Sequence, residues 1–242
     1  MPIGMKKKLE KLKTANPFLS NTELVYRLLL DEIVDHRIKP GSKLNQEQLA
    51  EELDVSRTPV REALNTLEQE GFLSKGTQGY TVYIMKIGDY MAILDLRIAM
   101  ETLGTRLACS RIRVSEAKEI EKILDVSQKL LDSAIGTAWN DDLEIIDEKK
   151  AEEALYKLGQ LDQKFHYTLV KCSRNPYLIK SYEDLMPKLH FFRYTALDAN
   201  SCCNMVDRHR RIFEAIRMRD DELAVKRMEV HLRNTVTRAM RY

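Results

Sequence analysis

The segment VSRTPVREALNTL at residues 55–67 has the spacing best suited to chemistry. In a helix, Arg57, Arg61 and Asn65 project from one face, because residues four apart lie one turn from each other. The opposite face is formed by four apolar residues: Val60, Ala63, Leu64 and Leu67. Arginine forks fit guanine edges and phosphates better than other side chains do. The pattern predicts a nucleic-acid contact, and the alternative is a solvated helix whose arginines pair with Glu62 or Glu68.

Two helices are predicted before this one. The first runs from about 22 to 36, where Lys39-Pro40-Gly41 follows with turn chemistry. Asn45 is the expected N-cap of the second helix, which ends at Leu53. The spacing predicts a helix–turn–helix, in which the segment at 55–67 supplies the second helix.

The third helix and the residues after it complete the predicted DNA-binding domain. Thr58 is the expected N-cap with Pro59 at the first helical position, and the helix ends at Gly71. Residues 72–74 and 80–84 flank a small polar tip, which is the pattern of a β-hairpin. In a winged helix–turn–helix the third helix enters the major groove. The predicted DNA contacts are Arg57, Thr58, Arg61, Asn65, Lys75, Gly76 and Gly79.

A second set of residues has the donor types of a metal site. Asp162 and His166 are four residues apart on a predicted helix whose apolar stripe includes Asp162, and a buried carboxylate is costly unless it is paired or bound to a metal. His209 and His231 each lie on the apolar face of a later helix. One oxygen and three nitrogen donors suit Zn²⁺, with Ni²⁺ or Mn²⁺ as alternatives. The competing interpretation is three core histidines and an ion-paired aspartate.

Helical periodicity continues to the end of the chain. The helices of this second part are expected at about 89–113, 115–133, 148–172, 176–197, 203–218 and 221–240. The predicted fold is mainly α, with a winged helix–turn–helix followed by an all-α bundle of six or seven helices. The expected domains are a basic N-terminal arm at 1–19, the DNA-binding domain at 20–86, and an effector-binding and dimerisation domain at 87–242.

The composition limits where and how the chain acts. With 44% apolar and 31% charged residues the chain has ample material for cores, and its net charge of +2 means that any basic surface must be local. No apolar run approaches the ~20 residues that span a bilayer, and no signal peptide is apparent. The four cysteines lack zinc-finger spacing, so we expect reduced thiols in a cytoplasmic protein.

The run PGSKLNQEQLAEELDVSRTPVREALNTLEQEGFL closely resembles the winged-helix domain of GntR-family bacterial transcription regulators. The resemblance places Arg57 and Arg61 on the operator-contacting arginines of that family and Gly79 on its wing glycine. Asp54 stands where the family usually has a turn glycine. This departure predicts a left-handed backbone at Asp54, which aspartate tolerates better than most residues do.

The later segments LDLRIAMETLGTRLA, LDQKFHYTLVKCSRNPYL and DRHRRIFEAIRMRDDELAVKRMEVHL resemble the ligand-binding (FCD) domain of the FadR-type subgroup. Metal-containing members of that subgroup use one Asp and three His, and the matching positions are Asp162, His166, His209 and His231. The resemblance further implies a small organic acid beside the metal, with Arg97 as its second anchor. The alternative for Arg97 is an ion pair with Glu101, four residues later.

The two parts together predict a transcriptional regulator rather than an enzyme. We expect a repressor that binds a double-stranded operator with two half-sites as a homodimer, with a small carboxylate effector and no membrane association. The alternative is a metal-dependent hydrolase that uses the same aspartate and histidines to activate water. That alternative leaves the DNA-reading helix unexplained, and the sequence offers no general base beside the candidate ligands.

Overall fold

The computed structural model describes residues 4–77, 79–84, 86–193 and 199–234. The chain divides into two compact units, Met1–Lys86 and Ile87–Tyr242. No helix in the described ranges combines the length and the apolar character that crossing a membrane requires.

The first unit contains four helices and a small sheet: α1 (Met5–Ala15), α2 (Asn21–Val34), β1 (Lys43–Leu44), α3 (Gln46–Leu53), α4 (Arg57–Gln69), β2 (Leu73–Gly76) and β3 (Gly79–Val82). The described part of the second unit contains six helices: α5 (Ile87–Arg111), α6 (Val114–Ala134), α7 (Glu148–Cys172), α8 (Pro176–Arg193), α9 (Ala199–Arg217) and α10 (Asp221–Arg233). The predicted fold class is confirmed. The predicted extensions to 197 and 240 fall outside the described residues.

The helix–turn–helix forms because its local signals and its apolar pattern agree. Asn45 caps α3 as predicted, since its side-chain oxygen accepts hydrogen bonds from the backbone N–H groups of Glu47 and Gln48. Asp54 ends α3 in the predicted left-handed conformation, with φ 55° and ψ 50°. The core of the first unit is formed by buried apolar side chains of α2, α3 and α4, including Leu24, Leu28, Leu49, Val60, Ala63, Leu64 and Leu67.

The predicted start of α4 was wrong by two residues. Ser56, with an extended backbone, occupies the N-cap position, and Arg57 and Thr58 are already helical. Pro59 therefore lies in the first turn rather than at its first residue, where its missing N–H is still harmless because the first four N–H groups have no partner within the helix. Arg57 and Thr58 therefore lie at the exposed N-terminal end of α4.

The predicted hairpin is present and gains a third strand. The antiparallel order is β1-β3-β2, with Leu44 opposite Tyr80 and Gly76 opposite Gly79. Gly79 has a φ of +120°, and a Cβ added there would lie 2.8 Å from the carbonyl oxygen of Leu44. Glycine is thus required where β3 passes against β1.

The basic N-terminal segment contains a helix that the sequence did not predict. Met5 and Leu9 of α1 are buried in the first unit. Lys6 pairs with Asp54 at 2.8 Å, and Lys8 pairs with the buried Glu32 at 2.7 Å. Two of the lysines expected on an arm therefore hold α1 against the helix–turn–helix.

Among its described residues, the bundle has three apolar clusters. The largest joins α5, α6, α7, α9 and α10, and its members include Phe165, Leu169, Ile212 and Phe213. A second cluster contains Trp139, which is fully buried and lies in the loop between α6 and α7. The third packs α8 against the end of α7. The second cluster anchors this loop through the buried side chains of Ala138 and Trp139.

Replacement of Gly79 by alanine should lower the free energy of unfolding of the first unit by about 1–3 kcal/mol, because the new Cβ meets a backbone oxygen at a positive φ. Gly76→Ala is the matched control in the same hairpin, since its added Cβ lies 3.9 Å from the nearest atom. Thermal unfolding of both variants measures the difference. Equal midpoints for Gly79→Ala and the wild type would contradict the assigned wing geometry.

Candidate metal centre and candidate DNA-binding helix

The four predicted metal ligands converge in the second unit. Asp162 and His166 project from α7, His209 from α9 and His231 from α10, and all four side chains are buried. One potential donor atom from each lies within 4.8 Å of the others. The sequence periodicity thus placed all four residues on the correct faces of their helices.

The donor atoms form a compact set of the size that a transition metal needs. The Nε2 atoms of the three histidines lie 3.1–3.2 Å from one another. Asp162 Oδ1 lies 3.4 Å from His166 Nε2 and 3.3 Å from His209 Nε2. Two ligands bound at about 2.0–2.1 Å around a tetrahedral zinc ion are about 3.4 Å apart. The residues therefore fit a Zn²⁺ ion, and the chemistry of the donor set is that of a metal site.

Glu101 lies against one of the histidines, His166, and this contact was not predicted from the sequence. Its Oε2 lies 2.5 Å from His166 Nδ1, and its Oε1 accepts hydrogen bonds from Arg97 Nε at 2.6 Å and from the Tyr182 hydroxyl at 2.7 Å. A carboxylate this close to Nδ1 favours a proton on that atom, and that tautomer leaves Nε2 available to bind a cation. The four-residue spacing of Arg97 and Glu101 indicated their ion pair, but it did not indicate the contact between Glu101 and His166.

Burial and neighbouring charges shift the pKa values of two groups at the site, His231 and Glu101. Burial and the two neighbouring histidines hold the pKa of His231 well below its usual value, so its imidazole stays neutral. Burial alone would raise the pKa of Glu101, but Arg97 and His166 hold that pKa well below its ordinary range. Glu101 is therefore ionised, and the ion pair that we gave as the alternative for Arg97 is present in the structure.

The second apolar cluster adjoins the metal ligands along two helices. Leu158 lies one turn before Asp162 on α7, and Val206 lies one turn before His209 on α9. Trp139 packs in the same cluster, and its indole N–H has no hydrogen-bond partner among the described residues. Apolar side chains of α7 and α9 thus border the site.

Arg57 and Arg61 are both exposed on the predicted face of α4, but their surroundings differ. Arg57 Nη1 lies 2.7 Å from Glu47 Oε1 of the preceding helix. Arg61 has no ion pair within the part of the chain that the structure describes. The pairing with Glu62 or Glu68 that we weighed is not found there, and Glu62 instead accepts a hydrogen bond from Thr22 at 2.8 Å.

The remaining predicted DNA contacts lie beside these arginines or on the wing. Thr58 is exposed in the first turn of α4. Asn65 is half-buried, and its Oδ1 accepts a hydrogen bond from the Tyr80 hydroxyl at 2.7 Å, which ties α4 to the wing. Lys75 and Gly76 are exposed at the hairpin, with Lys75 Nζ 5.7 Å from the centre of the Tyr80 ring.

Comparison with known proteins matches both units. Residues 21–82 match the model of the bacterial regulatory proteins of the gntR family, and residues 92–234 match the FCD domain. The chain is 31% identical over 208 residues to the uncharacterized HTH-type transcriptional regulator YdhC of Bacillus subtilis, with 85% of each chain covered. It is 26% identical to the HTH-type transcriptional repressor RspR of Escherichia coli over 90% of this chain and 88% of that protein.

Solved structures share the fold at lower sequence identity. Escherichia coli McbR/YncC superposes with a TM-score of 0.70 at 20% identity, covering 93% of this chain and 99% of that one. A GntR transcriptional regulator from Rhodococcus sp. RHA1 gives a TM-score of 0.71 at 20% identity, covering 92% and 98%. The sequence relatives YdhC and RspR are named as transcriptional regulators, in agreement with the prediction of a regulator rather than an enzyme. The chain belongs to the gntR family of bacterial regulatory proteins and is a transcriptional regulator with an FCD domain.

Proposed function

We propose that the protein is a repressor that binds a two-half-site operator as a homodimer and is controlled by a small carboxylate bound beside a metal ion. The observation that carries this proposal is the combination of an exposed arginine pair on α4 with a buried Asp/His₃ set in the FCD domain. Arginine side chains bind guanine edges, and a metal ion held by the buried set would bind the carboxylate of a small acid.

The first turn of α4 supports the DNA-reading role. Arg57, Thr58 and Arg61 are exposed, and the Ser56 side chain makes no capping hydrogen bond. No acidic residue lies in that first turn. No acidic side chain of that turn therefore offsets the partial positive charge of the helix N-terminus, which favours an anion such as a phosphate. We propose that these residues contact the major groove with support from Asn65, while Lys75, Gly76 and Gly79 of the wing approach the backbone or the minor groove.

The buried set supports a divalent cation as the resident cofactor, with Zn²⁺ preferred and Ni²⁺ or Mn²⁺ as alternatives. Asp162, His166, His209 and His231 would hold the ion. A bound cation supplies positive charge and open coordination positions for a carboxylate. Arg97 is the proposed second anchor for the acid, since its buried guanidinium interacts electrostatically with Asp162 as well as with Glu101.

The effector can control the operator only through a difference in affinity. A carboxylate that binds one arrangement of the dimer more tightly than another shifts the population toward the first. We propose that the arrangement favoured by the effector binds the operator less tightly, so that the acid relieves repression.

The double variant Arg57→Ala, Arg61→Ala should bind selected operator DNA about 30-fold or more weakly, because two arginine contacts of about 1–3 kcal/mol each are lost. Competition binding at fixed salt measures the loss. Arg211→Ala, Arg217→Ala is the control, since it removes the same charge from exposed positions on α9. Unchanged affinity and base preference in the first variant would contradict the DNA-reading role of α4.

Removal of two histidines should abolish metal binding. We expect the variant His209→Ala, His231→Ala to retain less than about a tenth of the bound metal, since two of four donors are lost. Elemental analysis of purified protein gives the stoichiometry, and circular dichroism checks the helices. His190→Ala, which removes a histidine outside the set, should keep its metal. Full retention in the double variant would exclude the proposed ligands.

A small carboxylate that binds the site should stabilise the metal-loaded protein by about 2.7 kcal/mol at one hundred times its Kd, which raises Tm by roughly 5–10 °C. A thermal-shift screen of small organic acids identifies such compounds. The same acids tested on chelator-treated protein provide the control. Equal stabilisation with and without metal would show that the acid does not bind at the metal.

A further inference from the structure

Glu47 and Arg57 connect the two helices of the helix–turn–helix on the surface that is proposed to face DNA. Their closest atoms, Oε1 and Nη1, lie 2.7 Å apart, and both side chains are more than half exposed. Glu47 belongs to α3, whereas Arg57 is the first residue of α4. An acidic side chain is repelled by phosphates, so its presence beside a DNA-reading arginine requires a function.

The backbone around Glu47 is fixed by hydrogen bonds. Its N–H donates to Asn45 Oδ1 at 2.8 Å, which sets the start of α3. The turn that follows is closed by the N–H of Val55, which donates to the carbonyl of Ala50 at 3.1 Å. Glu47 therefore presents its carboxylate to Arg57 from a rigid base, and the helix N-terminus stabilises its negative charge.

We infer that Glu47 is a specificity-determining residue that holds the Arg57 guanidinium in the orientation that reads a base. The contact uses Nη1 of Arg57, which leaves the other N–H groups of the planar fork for an acceptor pair on the DNA. A side chain oriented before binding loses less conformational freedom when it binds. α3 thus contributes to recognition through an acidic residue rather than through a basic contact of its own.

The carboxylate also lowers affinity for DNA of the wrong sequence. Near any duplex Glu47 is repelled by phosphates, and that penalty is offset only where Arg57 meets its correct base. Arg61 has no such partner among the described residues, so its side chain adapts to phosphate or base. The two arginines therefore differ in function: Arg57 is held for discrimination, while Arg61 contributes mainly affinity.

The inference rests on the proposed DNA-reading role of Arg57, and one experiment separates the two. Purified full-length wild type, Arg57→Ala, Glu47→Gln and Glu51→Gln each select duplexes from a randomised DNA library, and competition titrations follow. Glu51 is the matched control, because it is exposed on the same helix and forms no ion pair with Arg57 among the described residues. Both glutamine variants lose one negative charge.

We expect Glu47→Gln to lose about threefold in discrimination at the base pair where Arg57→Ala also loses it, in line with an exposed ion pair. Glu51→Gln should bind all duplexes somewhat more tightly with an unchanged preference. The inference is overturned if Glu47→Gln keeps the wild-type preference, or if both glutamine variants change it equally. If Arg57→Ala itself keeps the preference, the proposed role of Arg57 fails instead.

A double variant tests whether Glu47 acts through Arg57. In the Arg57→Ala background, the further change Glu47→Gln should leave base preference unaltered, because the side chain that it orients is gone. A further change in preference at any base pair would mean that Glu47 reads DNA directly, which contradicts the inference.

Discussion

A single carboxylate buried among three imidazoles is the constraint around which the bundle is arranged. Asp162 is only 6% exposed, and the three Nε2 atoms point at one another from α7, α9 and α10. Imidazoles whose lone pairs meet at 3.1–3.2 Å cannot satisfy one another fully, since each neutral ring has one donor. A cation at their centre would resolve this conflict and connect the three helices, so that metal binding and packing of the bundle would stabilise each other.

A second layer of polar residues lies around the candidate metal ligands. Glu101 contacts His166, and Arg97 and Tyr182 hold Glu101, so α5, α7 and α8 are joined by one buried polar network. An ionised carboxylate in this position is tolerated because Arg97 balances its charge. The same arginine is the proposed anchor for an acid, so an effector at the metal would compete with Glu101 for its N–H groups. Effector binding would thereby alter contacts on three helices at once.

Much of the fold and of the metal set could be predicted, because helical periodicity assigns each residue to a face. It placed Asp162, His166, His209 and His231 inside, the capping pattern indicated the Asn45 cap, and the family resemblance implied the left-handed Asp54. Contacts between distant segments could not be predicted in this way. The strand β1 pairs with β3 across a long sequence interval, α1 is held by Met5 and Leu9, and Glu47 meets Arg57 only after the turn folds. Periodicity carries no information on which apolar or charged faces meet.

X-ray absorption spectroscopy of the full-length protein loaded with one equivalent of Zn²⁺ tests the central claim most directly. The proposed site predicts nitrogen and oxygen neighbours at about 2.0–2.2 Å with the outer-shell scattering of imidazole rings. Sulfur neighbours at about 2.3 Å would instead mean that cysteine thiols hold the ion. That result, or a spectrum without imidazole scattering, would contradict the assignment of Asp162, His166, His209 and His231 as the metal ligands.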